Sequence, residues 1–115
     1  ARLLRLETDC DDVHHAMVNE KVDFILLDVR SEELFEKEHV PGAISLPHWK
    51  INPKALERYP EDSVFVVYCA GPHCNGADKA GLTLAGLNRP VKKMIGGLSG
   101  WKEEGFRTES GNPLP

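Results

Sequence analysis

Two segments of this chain, VDFILLDV at residues 22–29 and SVFVVYC at residues 63–69, are apolar almost from end to end. A strand with one face in water alternates apolar and polar side chains, whereas a strand covered on both faces does not. The two runs therefore call for a sheet buried between two layers. Parallel strands need crossover connections, usually helices, and the sequence between the runs supplies helical patterns.

Thr8 followed by Asp11 and Asp12 marks a helix start, after which Val13, Ala16 and Met17 recur on one face. Residues 32–38 form a short charged helix. His39 to Leu46 reads as a turn and a short strand, punctuated by Pro41 and Gly42. Asn52-Pro53 opens another helix that runs to about Tyr59 and stops at Pro60. Ala77 to Leu87 is helical, with Ala80, Leu84 and Leu87 on one face. Val91 to Ile95 is a further strand, and Gly96-Gly97 precedes a short helix carrying Trp101. The expected fold is α/β: a mostly parallel sheet with helices on both faces, in three layers. The 115 residues suit one domain over 1–115, with a loose, loop-like tail from about residue 106.

Charge and composition narrow the function. A net charge of -4, without a dense Lys/Arg run, argues against nucleic acid as a partner. No apolar run approaches the roughly 20 residues that a membrane-spanning helix needs. Ala1-Arg2-Leu3 leads into a charged helical segment rather than a signal peptide. Three cysteines without framework spacing suit a reducing compartment, so a cytoplasmic location is expected.

In an open α/β sheet, ligands bind beyond the carboxyl ends of the strands. Cys69 closes the second apolar run. Ala70, Gly71, Pro72, His73, Cys74, Asn75 and Gly76 follow it, and then a helix begins. Backbone N–H groups of such a loop can form an anion nest, and the next helix turns its positive end toward the same point. Both favour thiolate, so the Cys69 pKa is expected below the free value of roughly 8.5. A cysteine ending a buried strand can equally be an inert core residue. The breaker-rich loop and its second cysteine weigh toward a site.

The stretch from Cys69 to Gly76 resembles the active-site loop of rhodanese-like sulfurtransferases. Leu27-Asp28-Val29-Arg30 is similar to that family's Asp-Val-Arg strand end. Glu38-His39-Val40-Pro41-Gly42-Ala43-Ile44 resembles its Gly-His-Ile-Pro-Gly-Ala segment, and Gly96-Gly97-Leu98-Ser99-Gly100-Trp101 its Gly-Gly-x-x-x-Trp segment. The resemblance implies a rhodanese-like three-layer sandwich and a ping-pong sulfurtransferase. Cys69 would take sulfane sulfur from a small-molecule or protein donor, become a persulfide, and pass the sulfur to a thiol or to cyanide. It implies no cofactor and no metal.

This loop departs from the pattern in lacking a cationic or hydroxyl side chain among Pro72, His73, Cys74 and Asn75. Binding of a dianion such as thiosulfate would then rest on backbone N–H groups, with His73 or Lys79 as candidate helpers. Cys74 has two readings: a resolving thiol for Cys69, or a small residue that fits the loop, the latter favoured from sequence. Asp28 and Arg30 are candidate supports of the pocket, with a structural role favoured. His48 could line the site mouth, though packing is favoured, and Trp101 reads as a hydrophobic plug. A zinc site from Cys69, His73, Cys74 and Cys10 lacks paired knuckles. Two other functions share the resemblance. Dual-specificity phosphatases of similar fold carry Arg six residues after the cysteine, where this chain has Asn75. Non-catalytic regulatory or binding modules lack the cysteine, which this chain retains.

Overall fold

The computed structural model describes residues 7–71 and 74–111. Among the described residues five strands run in chain order: β1 (Glu7–Asp9), β2 (Phe24–Asp28), β3 (Ile44–Ser45), β4 (Val64–Tyr68) and β5 (Val91–Ile95). The helices are α1 (Cys10–Val18), α2 (Glu32–Lys37), α3 (Pro53–Leu56), α4 (Gly76–Gly86) and α5 (Gly97–Glu103), with a 3-10 turn at His48–Lys50. All strand pairs are parallel, in the order β1-β5-β4-β2-β3. The two apolar runs pair directly, with Leu27 opposite Val67 and Asp28 opposite Tyr68.

Strand alternation sorts the core into two halves. Leu26, Val66, Tyr68 and Met94 face one side, where Val13 of α1, Phe35 of α2 and Leu98 and Trp101 of α5 cover them. Leu27, Val29, Phe65, Val67, Cys69 and Val91 face the other, under Leu56 of α3 and Ala77, Ala80 and Leu84 of α4. The sheet therefore has helices on both faces. Among the described residues no helix is long and apolar enough to cross a membrane.

Several local expectations change. Thr8 is not the cap of α1; it lies in β1, an edge strand whose polar residues gave no strand signal. Asp9 caps instead, its carboxylate accepting from the Asp12 N–H at 2.7 Å. The Asn52 cap is as expected, accepting from the Ala55 N–H at 2.8 Å. That helix ends at Leu56 rather than near Tyr59. The Arg89 guanidinium donates to the carbonyls of Leu56, Tyr59 and Pro60, so these groups are satisfied without further helix.

The segment from residue 106, expected to be loose, is fastened as far as residue 111. The Phe106 ring stacks on His14 at 3.7 Å and packs edge-on to Trp101. Glu109 and His39 exchange backbone hydrogen bonds of 2.8 and 2.9 Å, and the Gly111 N–H donates to the Glu36 carbonyl. Trp101 is buried and donates its indole N–H to the Arg107 carbonyl, so it does plug the core.

Candidate active site

Cys69 follows β4 directly, at the carboxyl edge of the parallel sheet. Its parity with Phe65 and Val67 turns it to the α4 face, and it is only 5 % exposed. The sulfur sits against the first turn of α4. A Cβ added to Gly76 would stand 3.0 Å from Cys69 Sγ, 3.4 Å from His48 Cδ2 and 3.6 Å from Cys74 Sγ. Gly76, Cys69, Cys74 and the edge of the His48 ring thus surround one small space. His48, for which packing was the favoured reading, stands at that space.

Cys69 and Cys74 are joined as a disulfide, with their Cα atoms 6.2 Å apart. This departs from the favoured reading of Cys74 as a loop-filling residue. Its cause is local: the Cys74 N–H donates to the Gly71 carbonyl at 3.2 Å, closing a tight turn that brings the loop back over the strand end. The same bond occupies the Cys74 amide, which therefore serves the turn and not an anion nest. Pro72 and His73 lie outside the described residues. Asn75 is the N-cap of α4, without a side-chain capping bond, and the helix begins at Gly76.

The root of the loop is held from α5. The Leu98 N–H donates to the Cys69 carbonyl and the Ser99 N–H to the Ala70 carbonyl, both at 2.9 Å. Such closeness requires glycine at 97. Its φ is +60°, and a Cβ there would meet the Gly71 N at 2.9 Å and overlap the Cys69 carbonyl oxygen. Gly71 is crowded in turn, since a Cβ would lie 2.6 Å from Ser99 Oγ. The sequence signal for this support was the Gly96-Gly97 pair; the part played by the Leu98 and Ser99 amides was not readable from it.

Asp28 and Arg30 lie across the sheet from the sulfur. The Arg30 Nε donates to Asp28 Oδ1 at 3.0 Å and its terminal nitrogen to Oδ2 at 2.7 Å. That nitrogen also donates to the Glu38 carbonyl at 2.6 Å. The Tyr68 hydroxyl donates to Asp28 Oδ2 at 2.7 Å and accepts from the Val40 N–H at 3.0 Å. Burial is the largest single influence and works against the Arg30 charge, but the hydrogen bond to Asp28 and the charges of Asp28, Tyr68 and Glu38 together outweigh it and raise the pKa. Burial, and then the Asp28 charge, push the Tyr68 phenol well above its usual range. This lock ties β2, β4 and the 38–40 segment together directly beneath Cys69. Tyr68 is a support that the sequence reading missed, because it looks like any apolar strand residue until its register with Asp28 is known.

Cys10 is separate from this site. Its thiol approaches the carbonyls of Ile95 and Gly97 in the other core half. Burial, with Asp9 and Glu104 next, pushes its pKa up to about 11. A cavity of about 80 Å³ beside the disulfide is lined by Cys69, Gly71, Cys74, Lys93, Met94 and Gly97, among others. Lys93 pairs there with Asp78 of α4 at 2.9 Å. The much larger cavity of about 580 Å³ lies by Leu56, Tyr59, Leu87 and Arg89, toward the amino ends of β4 and β5 and away from the cysteine.

Comparison with known proteins agrees with this architecture. The family model for the rhodanese-like domain matches residues 9–104. The BH2092 protein of Bacillus halodurans superposes with a TM-score of 0.91 at 38 % identity, covering 95 % of this chain and 80 % of that one. An HTH-type transcriptional regulator of Mycobacterium tuberculosis is 32 % identical over 77 % of this chain and 39 % of its own length. The adenylyltransferase and sulfurtransferase UBA4 of Candida albicans is 34 % identical over 79 % of this chain and 22 % of its own. The chain thus spans less than half the length of these curated relatives. With the sheet order, the cysteine at the strand end and the family match in agreement, this chain belongs to the rhodanese-like domain family.

Proposed function

We propose that the chain is a sulfurtransferase in which the reduced Cys69 accepts sulfane sulfur as a persulfide and passes it to a thiophilic acceptor. The observation that carries this reading is the seat of Cys69 Sγ against the Gly76 turn of α4, at the carboxyl edge of the sheet. The first turn of α4 lies beside that sulfur, and the positive end of a helix dipole favours thiolate and an anionic persulfide. The thiolate attacks the outer sulfur of a donor, forms an S–S bond and releases the donor's remaining part with the electron pair of the broken bond. A second thiol, or cyanide, then attacks the outer sulfur of the persulfide and restores the Cys69 thiolate.

Persulfide or protein donors suit this loop better than thiosulfate, because no cation among Ala70, Gly71, Cys74 and Asn75 holds a dianion. The test is mass spectrometry of reduced protein after exposure to thiosulfate and, separately, to glutathione persulfide. Loading is expected at Cys69, and Cys69→Ser is expected to lose transfer to cyanide by about three orders of magnitude or more while remaining folded. Transfer by that variant at the parent rate would remove Cys69 from the role.

A further inference from the structure

We propose that Cys74 is a resolving cysteine, which discharges the loaded Cys69 by expelling its outer sulfur as hydrosulfide. The inference rests on the persulfide reading of Cys69 and concerns what happens to that persulfide next. Three observations carry it. The two cysteines are bonded, and their Cα separation of 6.2 Å lies within the span that a disulfide bridges. The turn closed by the Cys74 N–H and the Gly71 carbonyl directs the second cysteine back over the first. Gly76 leaves open the space that both sulfurs border, so no side chain stands between them.

The step balances internally. The Cys74 thiolate attacks Cys69 Sγ, the inner sulfur of the persulfide. A Cys74–Cys69 S–S bond forms as the Cys69 Sγ–outer sulfur bond breaks, and the outer sulfur leaves as HS⁻ with the bonding pair. The product is the disulfide seen in the structure, which has no thiolate and accepts no further sulfur. A dithiol reductant must then reopen it: two electrons and two protons pass to the protein, and the dithiol becomes a disulfide. Over one cycle the donor's sulfane sulfur is reduced to sulfide at the expense of the dithiol. Cys10 cannot substitute for Cys74, since it lies in the other core half against the Ile95 and Gly97 carbonyls.

The test is a single turnover. Reduced, desalted protein is mixed without oxygen with glutathione persulfide or sodium thiosulfate, and free sulfide, intact mass and the modified peptide are followed together. The parent is expected to release about one sulfide per chain and to end lighter by two hydrogens than the reduced form. Cys74→Ser and Cys74→Ala, checked for native circular dichroism, are expected to hold one extra sulfur on Cys69 about tenfold longer or more, with no matching sulfide. A parent that keeps its persulfide as long as these variants would overturn the proposal, as would migration of the extra sulfur to Cys74. If neither parent nor variants gain sulfur from either donor and no sulfide appears, it is the reading of Cys69 as a sulfur carrier that fails.

Discussion

Gly76 has a hydrogen atom where every other residue has carbon, and that hydrogen faces two sulfurs and an imidazole edge. Alanine at this position would bring its methyl to 3.0 Å from Cys69 Sγ, closer than carbon and sulfur tolerate, and into the volume an outer sulfur needs. Gly76→Ala is therefore expected to slow loading of Cys69 at least about tenfold. The helix gains from alanine offset part of the crowding, so stability in urea should change by no more than about 1 kcal/mol. Loading at the parental rate, followed by mass spectrometry, would show that the transferred sulfur occupies some other volume. Gly97 is constrained for a different reason, since its neighbours are the backbone of Cys69, Ala70 and Gly71 rather than reacting atoms.

Between elements, the Asp28–Arg30–Tyr68 lock joins β2 to β4 and to the chain entering β3. Asp28 is fully buried and Arg30 nearly so, which makes the pair costly to break from one side. Arg30→Ala leaves a buried carboxylate with only the Tyr68 hydroxyl and the residue-30 amide, and should lower stability by about 3–5 kcal/mol in equilibrium urea unfolding. A loss under 1 kcal/mol would mean that the guanidinium contributes little there. Much of the element pattern was legible. β2 and β4 announced themselves by unbroken apolar runs, and the starts of α3 and α4 by Asn52-Pro53 and by the breakers before Gly76. What stayed hidden depended on partners far along the chain. Glu7, Thr8 and Asp9 become a strand only because β5 lies beside them. Asp28 and Arg30 were both marked as candidate supports, but their bonding to each other appears only in the fold, and their position across the sheet from Cys69 follows from strand parity. The Cys69–Cys74 bond was the less favoured of two readings of Cys74, since five residues of separation say nothing about a turn until the Gly71–Cys74 hydrogen bond is in place.

For the molecule as a whole, Cys10 sets an alkaline limit. Its thiol ionises near 11 in the folded protein against an ordinary 9.0, so the folded state holds the proton more tightly than the unfolded chain. The sign follows: this contribution is fully present below pH 9 and is lost as pH rises toward 11. It is worth roughly 2–3 kcal/mol at its full value. Tyr68 acts in the same direction above its ordinary value of 10.0, so the interval from pH 9 to 10 isolates the cysteine. In the disulfide form, where Cys69 and Cys74 do not titrate, the parent should lose stability across that interval and Cys10→Ala should stay nearly flat. The variant pays about 1–2 kcal/mol at pH 7 for the buried sulfur removed. Equal slopes in the two proteins, measured by urea unfolding, would remove Cys10 as the source.

The parity of β4 has one more consequence. Tyr68 and Cys69 are adjacent in sequence yet serve opposite layers, one inside the lock and the other under the loop. The sheet is in this sense a firewall between the Asp28–Arg30–Tyr68 lock and the Cys69 sulfur. Residues 72–75 can then be swapped for another stretch of the same length, with Ala70 and Gly71 kept because α5 holds them, without disturbing the Asp28–Arg30–Tyr68 side. Such chimaeras should melt within a few degrees of the parent while differing widely in which donors they accept. A collapse of melting temperature on loop exchange alone would show that the barrier leaks. If it holds, new chemistry can be installed at Cys69 without first re-engineering the fold.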